Sequence, residues 1–410
     1  MSLHSKALIK KFYYWKKLLQ ILSQTPRDPL FFQNPFIFYK KLRAVGKIVR
    51  WDDYNMAVTT DYTTVSDILR NKKFVREPPG GFFTGIPKHL LPFYENESRS
   101  MLEREPPYHT KLKSLVSPFF TKNKLYKLET EINQLCNNLL QEIPNSEFDL
   151  TTDFSKKFPV LVITQILGVP KSMAPHLINW SSDMVAMYQA RKNEKIEKKA
   201  VSATKDFCVY VKSLLREKEN KPSEDLISYL IHSQRSKKTV SEEEIISTII
   251  LLLNAGHEAT VHTISNGLKA ILESEFSPLK LIENPKKLTE EVLRYATPLH
   301  MFTRYFTTDV SLFGHNFKSG DKIGLLLGAA NRDPNHFDFP ENFNPFITRK
   351  TNLSLGAGLH FCLGAHLARL ELEIAFTNII KKFPKITIAA KPTYSDTYHF
   401  YRLNELIVKT

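Results

Sequence analysis

A chain of 410 residues with 42% apolar content can bury an extensive core, and no Gly/Ser-rich linker or internal repeat divides it, so a single domain over residues 1–410 is expected. The net charge of +15 invites a nucleic-acid reading, but Lys and Arg are spread along the chain without a finger, arm or aromatic stacking motif, which argues against that class. Three cysteines, Cys136, Cys208 and Cys362, build no disulfide framework and point to a reducing cytoplasm, and neither a secretory signal nor a spanning apolar run opens the chain.

Residues 1–25 form a basic amphipathic segment in which Leu8, Phe12, Trp15, Leu19 and Leu22 share one helical stripe, opposite Lys6, Lys10 and Lys17. Such a helix either makes peripheral contact with an anionic membrane surface or docks onto its own protein. Periodicity then predicts helices near 36–45, 61–70, 108–142, 156–167, 171–190, 197–217 and 223–233, with strands near Lys47 to Thr59. The longest helix, 241–273, opens on a capping box formed by Ser241 and Glu244 and spans on the order of 45 Å at about 1.5 Å per residue. Its middle, Ala255-Gly256-His257-Glu258-Ala259-Thr260, places a glycine and a carboxylate inside an oily element, which costs stability unless something uses them. Residues 286–296 carry Glu291 and Arg294 three apart on one helical face. Short strands near Thr303 to Phe317 and Ile386 to Val408, and a helix over 362–382, complete a mainly α fold with small β-sheets at one side.

Cys362 stands between a glycine-rich loop and that last helix. Gly356, Gly358 and Gly364 remove side chains where a flat, bulky group would lie against backbone. A thiol at a helix start meets free N–H donors and the positive end of the helix dipole, which favour the thiolate. Taken by itself the residue is also readable as a small buried apolar side chain, or as a zinc ligand with His360 and His366 that lacks the usual paired spacing.

The run Leu355-Gly356-Ala357-Gly358-Leu359-His360-Phe361-Cys362-Leu363-Gly364 resembles the cysteine loop of the cytochrome P-450 family, differing only at Leu355, where the family has Phe. The resemblance extends over most of the chain. Glu291-Val292-Leu293-Arg294 followed by Arg332-Asp333-Pro334, Phe337, Pro340 and Phe343-Asn344-Pro345 is similar to the family's E-x-x-R lock and meander, with Arg349 a candidate to complete the network. Pro106-Pro107-Tyr108-His109-Thr110-Lys111-Leu112-Lys113 resembles its P-P-x-H-T-x-L-R segment.

The resemblance implies the cytochrome P-450 fold and haem b (iron protoporphyrin IX), with Cys362 the axial iron ligand. It implies that His109, Lys113, Arg304 and His360 meet the haem carboxylates, that Ala255, Gly256, Leu355, Gly356 and Gly364 lie against the haem, and that Glu291 and Arg294 are structural. Glu258 and Thr260 are the candidate catalytic groups for proton supply. The family's threonine position is Ala259 here, so ordered water leading from Glu258 is expected to replace the missing alcohol.

The implied activity is that of a soluble bacterial-type, monomeric monooxygenase inserting one oxygen atom from O2 into an apolar small molecule. Its electrons would come from a ferredoxin or flavodoxin with its reductase, steered by Lys111, Lys122, Lys124 and Lys127. Alternatives are a peroxide-using, desaturating or rearranging member, or a non-catalytic haem-binding sensor. Phe82, Phe83, Leu90, Met101, Leu102, Met184, Met187, Phe302 and Phe400 are the expected apolar walls of the pocket.

Overall fold

The computed structural model describes residues 19–189, 192–237 and 240–410. Its axis is the 32-residue helix Glu242–Glu273, and the capping box is formed as expected: the Ser241 hydroxyl accepts from the Glu244 amide at 3.1 Å while Glu244 accepts from the Ser241 amide at 2.8 Å. Helices Phe158–Leu167, Ala174–Val185, Glu194–Asn220, Pro285–Tyr295 and Ala365–Lys382 all pack against it. Two of its glycines permit this approach. A Cβ on Gly256 would stand 2.7 Å from Ile163, and one on Gly267 would stand 2.6 Å from both Phe376 and Val292.

The small sheet pairs, in order, Ile21–Leu22, Val49–Trp51, Met56–Thr59, Lys322–Leu325, Phe302–Phe306 and Phe74–Val75. Lys322–Leu325 lies centrally, parallel to one neighbour and antiparallel to the other, yet its Gly324 hides it from strand patterning. That glycine is needed because a Cβ there would press on Met56, Val58 and Met301. At the other end of the chain only Thr387–Ile388 and Ile407–Lys409 of the expected 386–408 segment are strands, and the turns between them carry Tyr394, Tyr398 and Phe400.

Two further expectations change. The helix expected over 108–142 is broken into Tyr108–Val116, a short turn Ser117–Phe120 and Lys122–Gln141, because Pro118 has no N–H to donate and its ring obstructs the preceding turn. Of the amphipathic stripe in residues 1–25, positions 1–18 lie outside the described residues. Leu22 belongs to the strand Ile21–Leu22, parallel to Arg50–Trp51, so the helix does not reach it.

The Glu291–Arg294 pair is fully buried and is tied to the cysteine loop. Arg294 Nε and Nη2 reach the two carboxylate oxygens of Glu291 at 2.7 and 2.8 Å, and the guanidinium also donates to the carbonyls of Asn331, Pro340 and Asn342. Arg349 does complete the network, with Nη2 3.3 Å from Glu291 Oε1. Asn331 carries the connection onward, donating to Thr297 and Ser354 and accepting from the Leu353 amide. The meander and the start of the Cys362 loop are thus held to one helix by satisfied polar groups.

Candidate functional site

A cavity of about 760 Å³ lies between the middle of the long helix and the Cys362 loop. Ala255, Gly256, Glu258, Ala259 and Thr260 line it from one side, and Leu355, His360, Cys362 and Gly364 from the other, with His109 and Lys113 at its flank. Residues that sequence reasoning joined across more than 250 positions therefore share one space. Of the expected apolar walls, Phe82, Met101, Leu102, Met187, Phe302 and Phe400 line the cavity. The other three do not: Phe83 is exposed, Leu90 is core, and Met184 is buried against the Asn254 side chain.

The cysteine departs from expectation in one respect. The helix begins at Ala365 with Gly364 as its cap, so Cys362 precedes it, and the Cys362 amide donates to Leu355 O at 3.0 Å. Burial pushes the thiol above its ordinary value, and the Gly364 amide with Arg369 and Lys113 only partly offsets this. Among the described residues no three His, Cys, Asp or Glu side chains are arranged to hold a metal ion by themselves, so the zinc arrangement is not formed.

The glycines divide by role. Gly356 and Gly358 have φ of +72° and +69°, and a Cβ on Gly358 would stand 2.3 Å from the Leu69 carbonyl, so these two serve the turn and its packing on helix Tyr62–Arg70. Gly356 is not part of the cavity wall. Gly364 alone of the three faces open space, with nothing within 4 Å of where its Cβ would be.

A cluster of two histidines and a lysine flanks the cavity. His109 is buried with its Nδ1 unpartnered, and burial, reinforced by His360 and Lys113, brings its pKa down to about 4. The rings of His109 and His360 lie 4.7 Å apart, and His360 Nε2 is 3.1 Å from Glu105 Oε1. Lys113 donates to Leu359 O at 2.7 Å. Arg304 is set behind the wall made by Phe302 and Thr303, donates to Thr303 O at 2.9 Å, and is drawn down to about 9 by burial and then by Arg76. An unpartnered buried imidazole, a lysine and a glycine with open space fit a flat anionic group facing a thiol.

Across the cavity, Glu258 is held by His262, one turn along its own helix, with His257 beside it. His262 Nε2 is 3.4 Å from Glu258 Oε1 and His257 Nε2 is 3.8 Å from Oε2. Burial works against the charged carboxylate, but His262, His257 and Arg402 outweigh it and hold Glu258 well below the ordinary carboxylate range. His257 Nδ1 is 2.6 Å from Leu253 O, a group that only accepts, so Nδ1 carries its proton. The Thr263 hydroxyl, which also lines the cavity, donates to Ala259 O at 2.7 Å.

Sequence reasoning missed His262, Thr263, Glu97 and Glu371. The i+4 spacing of His262 from Glu258 and of Thr263 from Ala259 was a usable signal. Nothing local marks Glu371, which is fully buried at the cavity with neither carboxylate oxygen partnered among the described residues, and which burial pushes well above the carboxylate range.

The chain matches the family model described as Cytochrome P450 over residues 16–275 and 279–394. It is 33% identical over 380 residues to the polyketide biosynthesis cytochrome P450 PksS of Bacillus subtilis (strain 168), covering 90% of this chain and 93% of the relative. It is equally 33% identical over 391 residues to the biotin biosynthesis cytochrome P450 of the same organism, covering 92% and 96%. The crystal structure of P450BioI in complex with an acyl carrier protein ligated to hexadec-9Z-enoic acid is similar in fold, with a TM-score of 0.88, 30% identity, and coverage of 93% of this chain and 100% of that one.

Proposed function

The chain belongs to the cytochrome P450 family, and from that premise we propose that it is a single-domain haem b monooxygenase inserting one oxygen atom from O2 into an apolar small molecule. Monooxygenase activity is named for one relative, the steroid C26-monooxygenase of Mycolicibacterium smegmatis. The observation that carries the reading is the juxtaposition of Cys362 with Glu258 and Ala259 across one cavity. Haem bound here would supply dioxygen activation, and Cys362 would hold its iron. His109, Lys113 and His360 would hold its carboxylates, supported from behind by Arg304, and Gly364 and Leu355 would border it.

The protein's own part is orientation, exclusion of water and proton supply. Met101, Met187, Phe302 and Phe400 exclude bulk water from the site. Glu258, ionised and fixed by His262, takes protons from solvent and passes them inward through ordered water, since Ala259 offers no hydroxyl and Thr263 commits its own to a backbone carbonyl. Ala259 is also what favours a second reading, a peroxide-using member, because such an enzyme needs no proton relay from the protein. Introducing Ala259→Thr tests the two. With isotope-labelled dioxygen and an electron donor, the native chain is expected to form labelled product and the variant to show a several-fold rise in uncoupled peroxide. Product formed from added peroxide but not from dioxygen would favour the second reading.

Electrons come from a separate partner, for which a ferredoxin or flavodoxin with its reductase is the proposal. Lys122, Lys124 and Lys127 are exposed at the start of helix Lys122–Gln141, beside exposed Tyr126, and exposed Phe361 adjoins Cys362. Lys111 drops out of this set, because its ammonium is bound to Glu244 at 2.6 Å. An acidic partner suits the remaining face. Among the described residues no helix is long and apolar enough to cross a membrane.

A further inference from the structure

One end of the cavity is polar, and its charges do not balance. Arg76, Glu97, Glu103, Tyr188, Lys192 and Lys322 line it there, and exposed Lys192 and Lys322 mark this end as the side open to solvent. Arg76 pairs with Glu103, leaving its Nε buried and unpartnered. Glu97 accepts from the Tyr188 hydroxyl, and burial, opposed by that bond, brings the acid up to about 7, so much of it is neutral at neutral pH. Lys322 sits over the Tyr305 ring at 5.4 Å, and neither it nor Lys192 has a carboxylate at ion-pair distance among the described residues; Glu197, which favours the Lys192 charge from further off, is itself 2.9 Å from His89 Nε2. Lys322 lies within electrostatic reach of both Lys192 and Arg76, whose like charges oppose its own, with only Glu103 in its favour.

Two ammonium groups that line the open end of an apolar cavity and oppose each other's charge are a poor arrangement for the protein alone and a good one for an anion. We propose that the substrate is an amphipathic acid whose carboxylate is held by Lys192, Lys322 and Arg76 while its hydrocarbon body extends inward past Phe82, Met101 and Phe302 toward Cys362. A monoanion suits the site better than a phosphate dianion, because Glu103 on the same rim already sets one negative charge against Arg76. The carboxylate end would fix how far along the chain oxidation occurs. This inference rests on the monooxygenase reading for the location of the reacting end.

The test uses the haem-loaded full chain, titrated with a saturated straight-chain fatty acid and with its methyl ester while the iron spin-state absorption shift is followed. The acid is expected to bind about tenfold more tightly than the ester (about 1.4 kcal/mol). The preference should shrink at high salt and disappear in the Lys192→Gln/Lys322→Gln double variant. Equal binding of acid and ester, a preference that survives in the double variant, or binding only of acyl chains tethered to a carrier protein would overturn it. The reduced, carbon-monoxide-bound spectrum of each sample separates the two levels: a thiolate-type band without acid preference removes this inference alone, whereas absence of that band removes the monooxygenase reading.

Discussion

Arg294→Ala is expected to yield little soluble protein, and what is recovered should unfold several degrees below the native chain in a thermal melt. The side chain binds both oxygens of Glu291 and the Asn331 carbonyl in a region closed to water, and two further carbonyls, of Pro340 and Asn342, at its edge. Removing it takes the two-pronged partner from the buried Glu291 carboxylate, leaving it only Arg349 and the Asn344 amide, and takes the arginine donor from the carbonyls of Pro340 and Asn342, of which Arg349 reaches only the second. Breaking a buried ion pair from one side costs about 3–5 kcal/mol, a large share of the roughly 5–15 kcal/mol that holds a typical protein folded. Arg294→Lys should rescue little, because an ammonium cannot reproduce the planar fork on Glu291 together with the three carbonyl contacts. The loss should reach haem binding in any protein that survives, since Asn331, one of the partners, positions Leu353 and Ser354 at the entry to the cysteine loop. A melt unchanged by either substitution would show that the network is decorative.

Glu258→Gln should lower the dioxygen-driven rate by about a hundredfold or more while haem content and the carbon-monoxide spectrum stay native. Gln keeps the size and the contact with His262 but cannot carry a proton. The carboxylate is held charged by His262, His257 and Arg402 against the cost of burial, so it remains ionised across the whole neutral range. Its own titration, lying below the ordinary carboxylate range, should therefore leave no inflection in the pH–rate profile near pH 4 to 5, where a free Glu would titrate. Product formation from added peroxide should be spared, because that route does not need protons from Glu258. Equal loss of both routes would mean the substitution had distorted the site and not its proton supply. The solvent isotope effect on the dioxygen route should rise in the same variant, which simple loss of packing would not produce.

Much of the site was legible because each of its parts is local. The capping box, the Ala255–Thr260 segment, the Glu291/Arg294 spacing and the glycine loop are short patterns whose meaning depends on near neighbours. The central strand Lys322–Leu325 was not legible, since its Gly324 is selected by Met56 and Met301, residues distant in sequence. The same holds for Gly256, whose missing side chain makes room for Ile163 as much as for a cofactor. The balance of charge was also hidden. Lys111 reads as a surface cation until Glu244 is seen beside it, and Cys362 reads as a favoured thiolate until its burial and the position of the helix start are known.

The central proposal is that Cys362 would bind haem iron as a thiolate in the cavity it shares with Glu258. The absorption spectrum of the purified, reduced and carbon-monoxide-bound protein tests it most directly, with Cys362→Ser measured alongside. The expected result is a thiolate-type Soret band in the native chain that is absent from the variant. A protein that takes up no haem, or one whose band is of the imidazole type in both samples, would contradict it.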